Sequence, residues 1–140
     1  MIRYLFDASS IINLIKRGIT NIFAEGKTLD LALYESMNAI WKEFALLKRI
    51  DEETALRYIE ILSLVFKVLE IDSIEGEEIE VFKLASREGL TAYDASYLYI
   101  AIKGRLALVT DDRKLRNKAS HYVRVLTTKE LLESEESNLV

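Results

Sequence analysis

Along nearly the whole chain, short apolar runs of strand character alternate with stretches whose apolar residues recur at helical spacing. The alternation begins at once: Ile2-Arg3-Tyr4-Leu5-Phe6-Asp7-Ala8-Ser9-Ser10 reads as a short strand turning directly into a helix, with one carboxylate, Asp7, at the turn. Strands that alternate with helices build a parallel sheet covered by helices, not a bundle. The expected class is therefore α/β, a three-layer α/β/α arrangement with a central parallel sheet of four to five strands. Residues 1–132 are expected to form one domain, and residues 133–140 a loose acidic tail.

In chain order, residues 2–6 form the first strand, and Ser9 or Ser10 caps a helix carrying Ile11, Ile12, Leu14 and Ile15 up to Gly18. Residues 19–27 read as a loop, and 28–33 as either a second strand or the approach to the next helix. Over residues 34–49, Met37, Ile40, Trp41, Phe44 and Leu47 recur at helical spacing, while Glu35, Asn38 and Lys42 share another side. Asp51, followed by Glu52 and Glu53, opens a second helix, so 34–67 is a helical hairpin. That second helix carries Ile59, Ile61, Leu62, Leu64, Val65 and Phe66 on more than one face, which calls for cover either from the core on two sides or from another chain. Beyond it the pattern predicts a strand at 68–71, an amphipathic helix at 76–87 ended by Gly89, and a helix at 91–103 closed by Gly104. A strand buried on both faces follows at 106–110, then a short basic helix at 113–119, a last strand at 122–126 and a terminal helix at 129–135.

Composition narrows the chemistry. The chain has no cysteine, which excludes disulfides and thiolate zinc sites, and its single histidine, His121, expected at the surface, cannot build a nitrogen site alone. Any resident metal must be held by oxygen. The net charge of −4 argues against a protein that coats nucleic acid through bulk electrostatics, yet leaves a nuclease open, because carboxylates gathered around a cation are neutralised locally. No secretory leader precedes the first strand and no apolar run reaches the ~18 residues that span a bilayer, so a cytoplasmic address without membrane contact is expected.

Four places put a carboxylate at a strand end or helix start: Asp7, Glu35, Asp94 and the pair Asp111/Asp112. In an α/β sheet the carboxyl ends of the strands lie along one edge, where ligands bind. Each acid also has a structural use. Asp7 can cap the helix after it, Glu35 can answer a helix dipole, Thr91-Ala92-Tyr93-Asp94 has the spacing of a capping box, and Asp111 or Asp112 can cap the basic helix. Gathered together they would repel and raise one another's pKa unless a hard divalent ion such as Mg²⁺ or Mn²⁺ lay among them. Such a site performs hydrolytic phosphate chemistry. An acid after the first strand also suits a phosphatase, but one of the haloacid-dehalogenase type needs a second Asp where Ser9 stands. The first turn likewise lacks the glycine fingerprint of a dinucleotide-binding domain.

The segments Phe6-Asp7-Ala8-Ser9, Tyr34-Glu35-Ser36-Met37-Asn38-Ala39-Ile40-Trp41-Lys42-Glu43, Thr91-Ala92-Tyr93-Asp94-Ala95 and Leu108-Val109-Thr110-Asp111-Asp112-Arg113-Lys114-Leu115 resemble, in the same order, the four motifs of the PIN-domain nucleases, and especially those of small prokaryotic VapC-type toxins. The resemblance implies a Mg²⁺- or Mn²⁺-dependent endoribonuclease with Asp7, Glu35, Asp94 and Asp112 as catalytic metal ligands, Asp111 being the alternative fourth ligand. It also implies Ser9, Asn38 and Thr110 as supporting residues, a cognate antitoxin as partner, and a homodimer. A catalytically silent scaffold acting through protein or RNA binding is the alternative. Tyr34, Met37, Trp41 and Phe44 are expected in the core, an antitoxin groove being their other use. Arg113 and Lys114, next to the fourth acid, are the expected contacts to RNA phosphates.

Overall fold

The computed structural model describes residues 1–138. Its centre is a five-stranded, wholly parallel sheet of order β3-β2-β1-β4-β5, formed by β1 (Tyr4–Phe6), β2 (Gly26–Leu29), β3 (Glu70–Asp72), β4 (Ala107–Val109) and β5 (Val125–Leu126). The helices are α1 (Ala8–Lys16), α2 (Leu31–Trp41), α3 (Glu52–Val68), α4 (Glu78–Glu88), α5 (Ala92–Gly104), α6 (Arg113–Ala119) and α7 (Thr128–Asn138). Helix α1 packs on α2, α3 and α7, whereas α5 packs on α4 and α6, so the two groups make the outer layers of the expected α/β/α arrangement. Among the described residues no helix is long and apolar enough to cross a membrane.

The strand order fixes where a ligand can enter. From β1 the chain moves outward on one side through β2 and β3, then returns to lay β4 and β5 on the other side. The direction of winding reverses between β1 and β4, and the crevice at the carboxyl ends of such a pair is the usual binding position in an open α/β sheet. Tyr4, Leu5 and Phe6 pair with Ala107, Leu108 and Val109, which places Asp7 and Thr110 side by side at that end. Leu5, Phe6, Leu108 and Val109 are fully buried, as a strand pair covered on both faces requires.

Several boundaries differ from the sequence reading. Residues 21–25 form a 3-10 turn rather than plain loop, and β2 begins at Gly26 because that strand lies against the Phe6 ring. A Cβ at Gly26 would stand 2.3 Å from Phe6 Cε2, so only glycine fits. Residues 28–33 divide between the end of β2 and the start of α2, with Asp30 accepting from the Leu31 N–H between them. Helix α2 continues into a π-turn, Lys42–Leu46. Helix α5 includes Gly104, and Arg105 rather than the glycine takes the left-handed conformation, at φ 53°.

The expected loose tail is corrected for residues 133–138, which belong to α7, while residues 139–140 lie outside the described residues. Buried Leu131 seats the helix on the core, and Glu135 accepts the Tyr4 hydroxyl at 2.6 Å and Arg3 Nη2 at 2.9 Å. The expected core role of Tyr34, Met37 and Trp41 is also corrected. They are 75%, 46% and 50% exposed, because α2 turns Ala32, Ser36 and Ile40 inward instead; only Phe44 of that group packs against the core. On α3, Leu62 and Val65 are buried, whereas Leu56, Leu64 and Val68 face outward.

Candidate active site

Asp7 follows β1 and is almost wholly buried. It also caps α1: its Oδ1 accepts the Ser10 N–H at 3.0 Å and the Ser9 hydroxyl at 2.7 Å. Its Oδ2 accepts the hydroxyl of Thr110, at the end of β4. Thr110 Oγ1 in turn accepts the Asp112 N–H at 3.0 Å, Ser9 Oγ accepts the Asp111 N–H at 3.0 Å, and Ser10 Oγ donates to the Val109 carbonyl at 2.8 Å. The ends of β1 and β4 are thus joined by hydroxyls around one carboxylate. Burial pushes the Asp7 carboxyl up to about 6 despite these donors, the Thr110 hydroxyl being the strongest of them.

Glu35 comes from the middle of α2 and is partly buried. Its Oε1 accepts the Tyr97 hydroxyl at 2.8 Å. Burial holds its carboxyl above the ordinary range, opposed by the Tyr97 hydrogen bond and reinforced by the charges of Asp7 and Asp94. Asp94 lies in the first turn of α5, where the capping box operates through its backbone: the Asp94 N–H donates to Thr91 Oγ1 at 3.1 Å. Its carboxylate takes no hydrogen bond among the described residues and is raised first by burial, then by the charge of Asp112, with Lys114 opposing.

Asp112 caps α6 through Oδ1, which accepts the Leu115 N–H at 3.1 Å. Asp7, Glu35, Asp94 and Asp112 line one cleft of about 520 Å³, together with Ser9, Asn13, Lys16, Asn38, Lys42, Glu43 and Tyr97. Asp111 is not among the lining residues. It accepts Asn13 Nδ2 at 2.6 Å, the Thr128 N–H at 2.8 Å and the Thr128 hydroxyl, and so ties the end of β4 to α1 and α7.

This donor set fits a hard cation. The acidic side chains offer only oxygen donors, and Asp7 is a buried carboxylate whose carboxyl is governed by burial and hydroxyl or amide donors, with no lysine or arginine beside it among the described residues. A buried charge without an opposite charge is costly, and a divalent ion removes that cost. Among the described residues no three acids stand close enough together to hold an ion, and mutual repulsion keeps carboxylates apart until a cation is present.

A family model described as the PIN domain matches residues 4–120. The chain belongs to the PIN-domain family. This PIN-domain chain is 40% identical to exonuclease VapC9 of Pyrobaculum aerophilum over 128 residues, covering 90% of this chain and 92% of that protein. It is 40% identical to ribonuclease VapC3 of the same organism over 91 residues, 65% of this chain and 69% of that protein. The crystal structure of PAE2754 from Pyrobaculum aerophilum superposes with a TM-score of 0.78 at 33% identity, over 97% of this chain and 98% of that one. A chain from the crystal structure of DNA-bound VapBC from Salmonella typhimurium shares the fold, with a TM-score of 0.62 at 15% identity over 91% of this chain and 99% of that one.

The PIN fold brings Asp7, Glu35, Asp94, Asp112, Ser9 and Asn38 to the cleft, with Thr110 directly behind Asp7. Arg113 and Lys114 are exposed on α6 and do not line it, although the charge of Lys114 reaches Asp94. Sequence reasoning missed Lys16, Glu43, Asn13 and Tyr97. Lys16 and Glu43 form an ion pair across the cleft between α1 and the π-turn. Helical spacing does place Tyr97 one turn beyond Asp94 on the same face of α5, a signal that could have found it. His121 is exposed, as expected.

Proposed function

We propose that this PIN-domain chain is a Mg²⁺- or Mn²⁺-dependent endoribonuclease and the toxin of a toxin–antitoxin pair. The observation that carries the reading is Asp7, a buried carboxylate at the β1/β4 switch point, sharing one cleft with Glu35, Asp94 and Asp112. Those four acids would hold the metal. When bound, the ion supplies Lewis-acid polarisation of the scissile phosphate and lowers the pKa of a water.

The chain's own residues do the rest. Ser9 and Thr110 fix the Asp7 carboxylate from both oxygens, so its orientation is set before a cation arrives. Lys16, Lys42 and Asn38 line the same cleft and would hold the phosphate next to the one cleaved. Arg113 and Lys114 lie outside and serve to draw RNA in. The names of the relatives supply the nuclease assignment, and the VapBC fold relative makes an antitoxin the partner to expect. The exposed row of Tyr34, Met37 and Trp41 beside Glu35 offers that partner an apolar strip, and Leu56, Leu64 and Val68 on α3 suit a second copy of the chain in a homodimer. The whole assembly is proposed to work in the cytoplasm.

Cleavage of labelled linear and circular RNA with Mn²⁺, by wild type and Asp7→Asn, tests the reading. The expected result is cutting of both substrates by wild type, its loss in EDTA, and a fall of at least about 100-fold in the variant. Equal cleavage by both proteins would remove the catalytic assignment. Cleavage of linear RNA alone would make the enzyme an exonuclease, and cleavage by neither would leave the scaffold.

A further inference from the structure

Tyr97 lines the cleft that the four acids share. Its ring is buried in the core at 2% exposure, while its hydroxyl reaches the cleft and donates to Glu35 Oε1 at 2.8 Å. It stands three residues after Asp94, so one face of α5 delivers both an acid and a phenol to the same space. One hydroxyl therefore links α5 to α2.

Glu35 needs such a link. Among the described residues Tyr97 is its carboxylate's only hydrogen-bond partner, and it projects from α2 on a long side chain with considerable rotamer freedom to lose. A donor fixed in a rigid core can hold such a side chain near its working geometry. We propose that Tyr97 is a positioning residue: its hydroxyl holds Oε1 of Glu35 so that Oε2 is the oxygen presented to the divalent ion. The inference rests on the metal-nuclease reading of the cleft.

Mn²⁺ binding, followed by the electron-paramagnetic-resonance signal of the free ion, tests it with wild type, Tyr97→Phe, Glu35→Gln and the double variant. Tyr97→Phe keeps the ring, and a thermal melt in EDTA verifies its fold. The variant is expected to bind Mn²⁺ about 10- to 100-fold more weakly. In RNA cleavage the Mn²⁺ concentration for half-maximal rate should rise correspondingly, with kcat at saturating Mn²⁺ near that of wild type. In the Glu35→Gln background, adding Tyr97→Phe should weaken Mn²⁺ binding no further. Unchanged affinity in Tyr97→Phe overturns the inference, as does an equal loss in both backgrounds, which would mean that the phenol acts through packing. A wild type that binds no Mn²⁺ overturns the metal-site reading itself and the inference with it.

Discussion

Asp7 uses its two oxygens for two purposes, since Oδ1 closes the first turn of α1 while Oδ2 is held by Thr110 at the cleft. Capping and site membership, alternatives when the residue is read from sequence, coexist in one side chain. In metal-free protein the buried carboxylate is a liability. Its carboxyl titrates near 6 in the fold against 3.8 in the unfolded chain, so the neutral form is favoured in the folded state. The associated stability is fully present below the unfolded value and is lost as pH rises through about 6, to the extent of about 3 kcal/mol. Asparagine caps a helix as well as aspartate. In EDTA, Asp7→Asn should therefore melt higher than wild type at pH 7.5, and the gap should close toward pH 4; a variant less stable than wild type at pH 7.5 would contradict this. The two neighbours at the fourth motif separate in the same way. Asp111→Asn should cost about 1–3 kcal/mol in urea denaturation, through its bonds to Asn13 and Thr128, while keeping cleavage by the folded protein. Asp112→Asn should keep the α6 cap and lose cleavage. The reverse pattern would make Asp111 the fourth site acid. Asp7, Asp94 and Asp112 were legible because each stands at a strand end or helix start, whereas Glu35 lies in the middle of α2 and was singled out by the resemblance of its segment. The choice between Asp111 and Asp112 was not legible, since it depends on α7, which reaches back to Asp111 from 17 residues along the chain.

The short elements owe their positions to close contacts that leave only a faint mark on sequence. β2 is four residues long and lies against a ring: Phe6 and Phe23 meet edge to face with centroids 5.0 Å apart, and Gly26 passes under Phe6 where no Cβ fits. Alternation of apolar and polar residues cannot reveal a strand that is buried on both faces and opens on glycine, which is why residues 19–27 read as loop. Gly26→Ala should lower stability by about 1–3 kcal/mol through displacement of the Phe6 ring, read as a lower urea midpoint with unchanged slope. A midpoint like that of wild type would show that the ring can move freely. The reading of α2 failed for a different reason. Helical spacing was clear, but Tyr34, Met37 and Trp41 define one row and Ala32, Ser36 and Ile40 another, and the second row faces the core. Close approach of α1 to α2 favours the second row, leaving the large side chains outside.

At the scale of the whole molecule, the α/β alternation was enough to give the layers and the parallel sheet, and the β1/β4 reversal explains why acids from four separate segments share one cleft. The tail was misjudged because its acidic composition hides the role of Glu135, which pairs with residues 3 and 4 across almost the full chain length. Removing residues 133–140 should lower the melting temperature by roughly 3–8 °C, the scale expected for about 1–2 kcal/mol of partly buried hydrogen bonding. An unchanged melt would mean that Arg3 and Tyr4 hold the first strand without it. The contacts of Glu135 lie at the opposite end of β1 from Asp7, so the β1 strand is fastened at one end by the terminal helix and at the other by Thr110. Asp7 is proposed as the shared ligand of a cation in the cleft. Anomalous diffraction from a crystal soaked in Mn²⁺ tests this. A manganese peak is expected about 2 Å from an Asp7 carboxylate oxygen, with Asp94 and at least one of Glu35 and Asp112 completing the protein ligands. Manganese bound only away from Asp7, or on Asp111 instead, would contradict it.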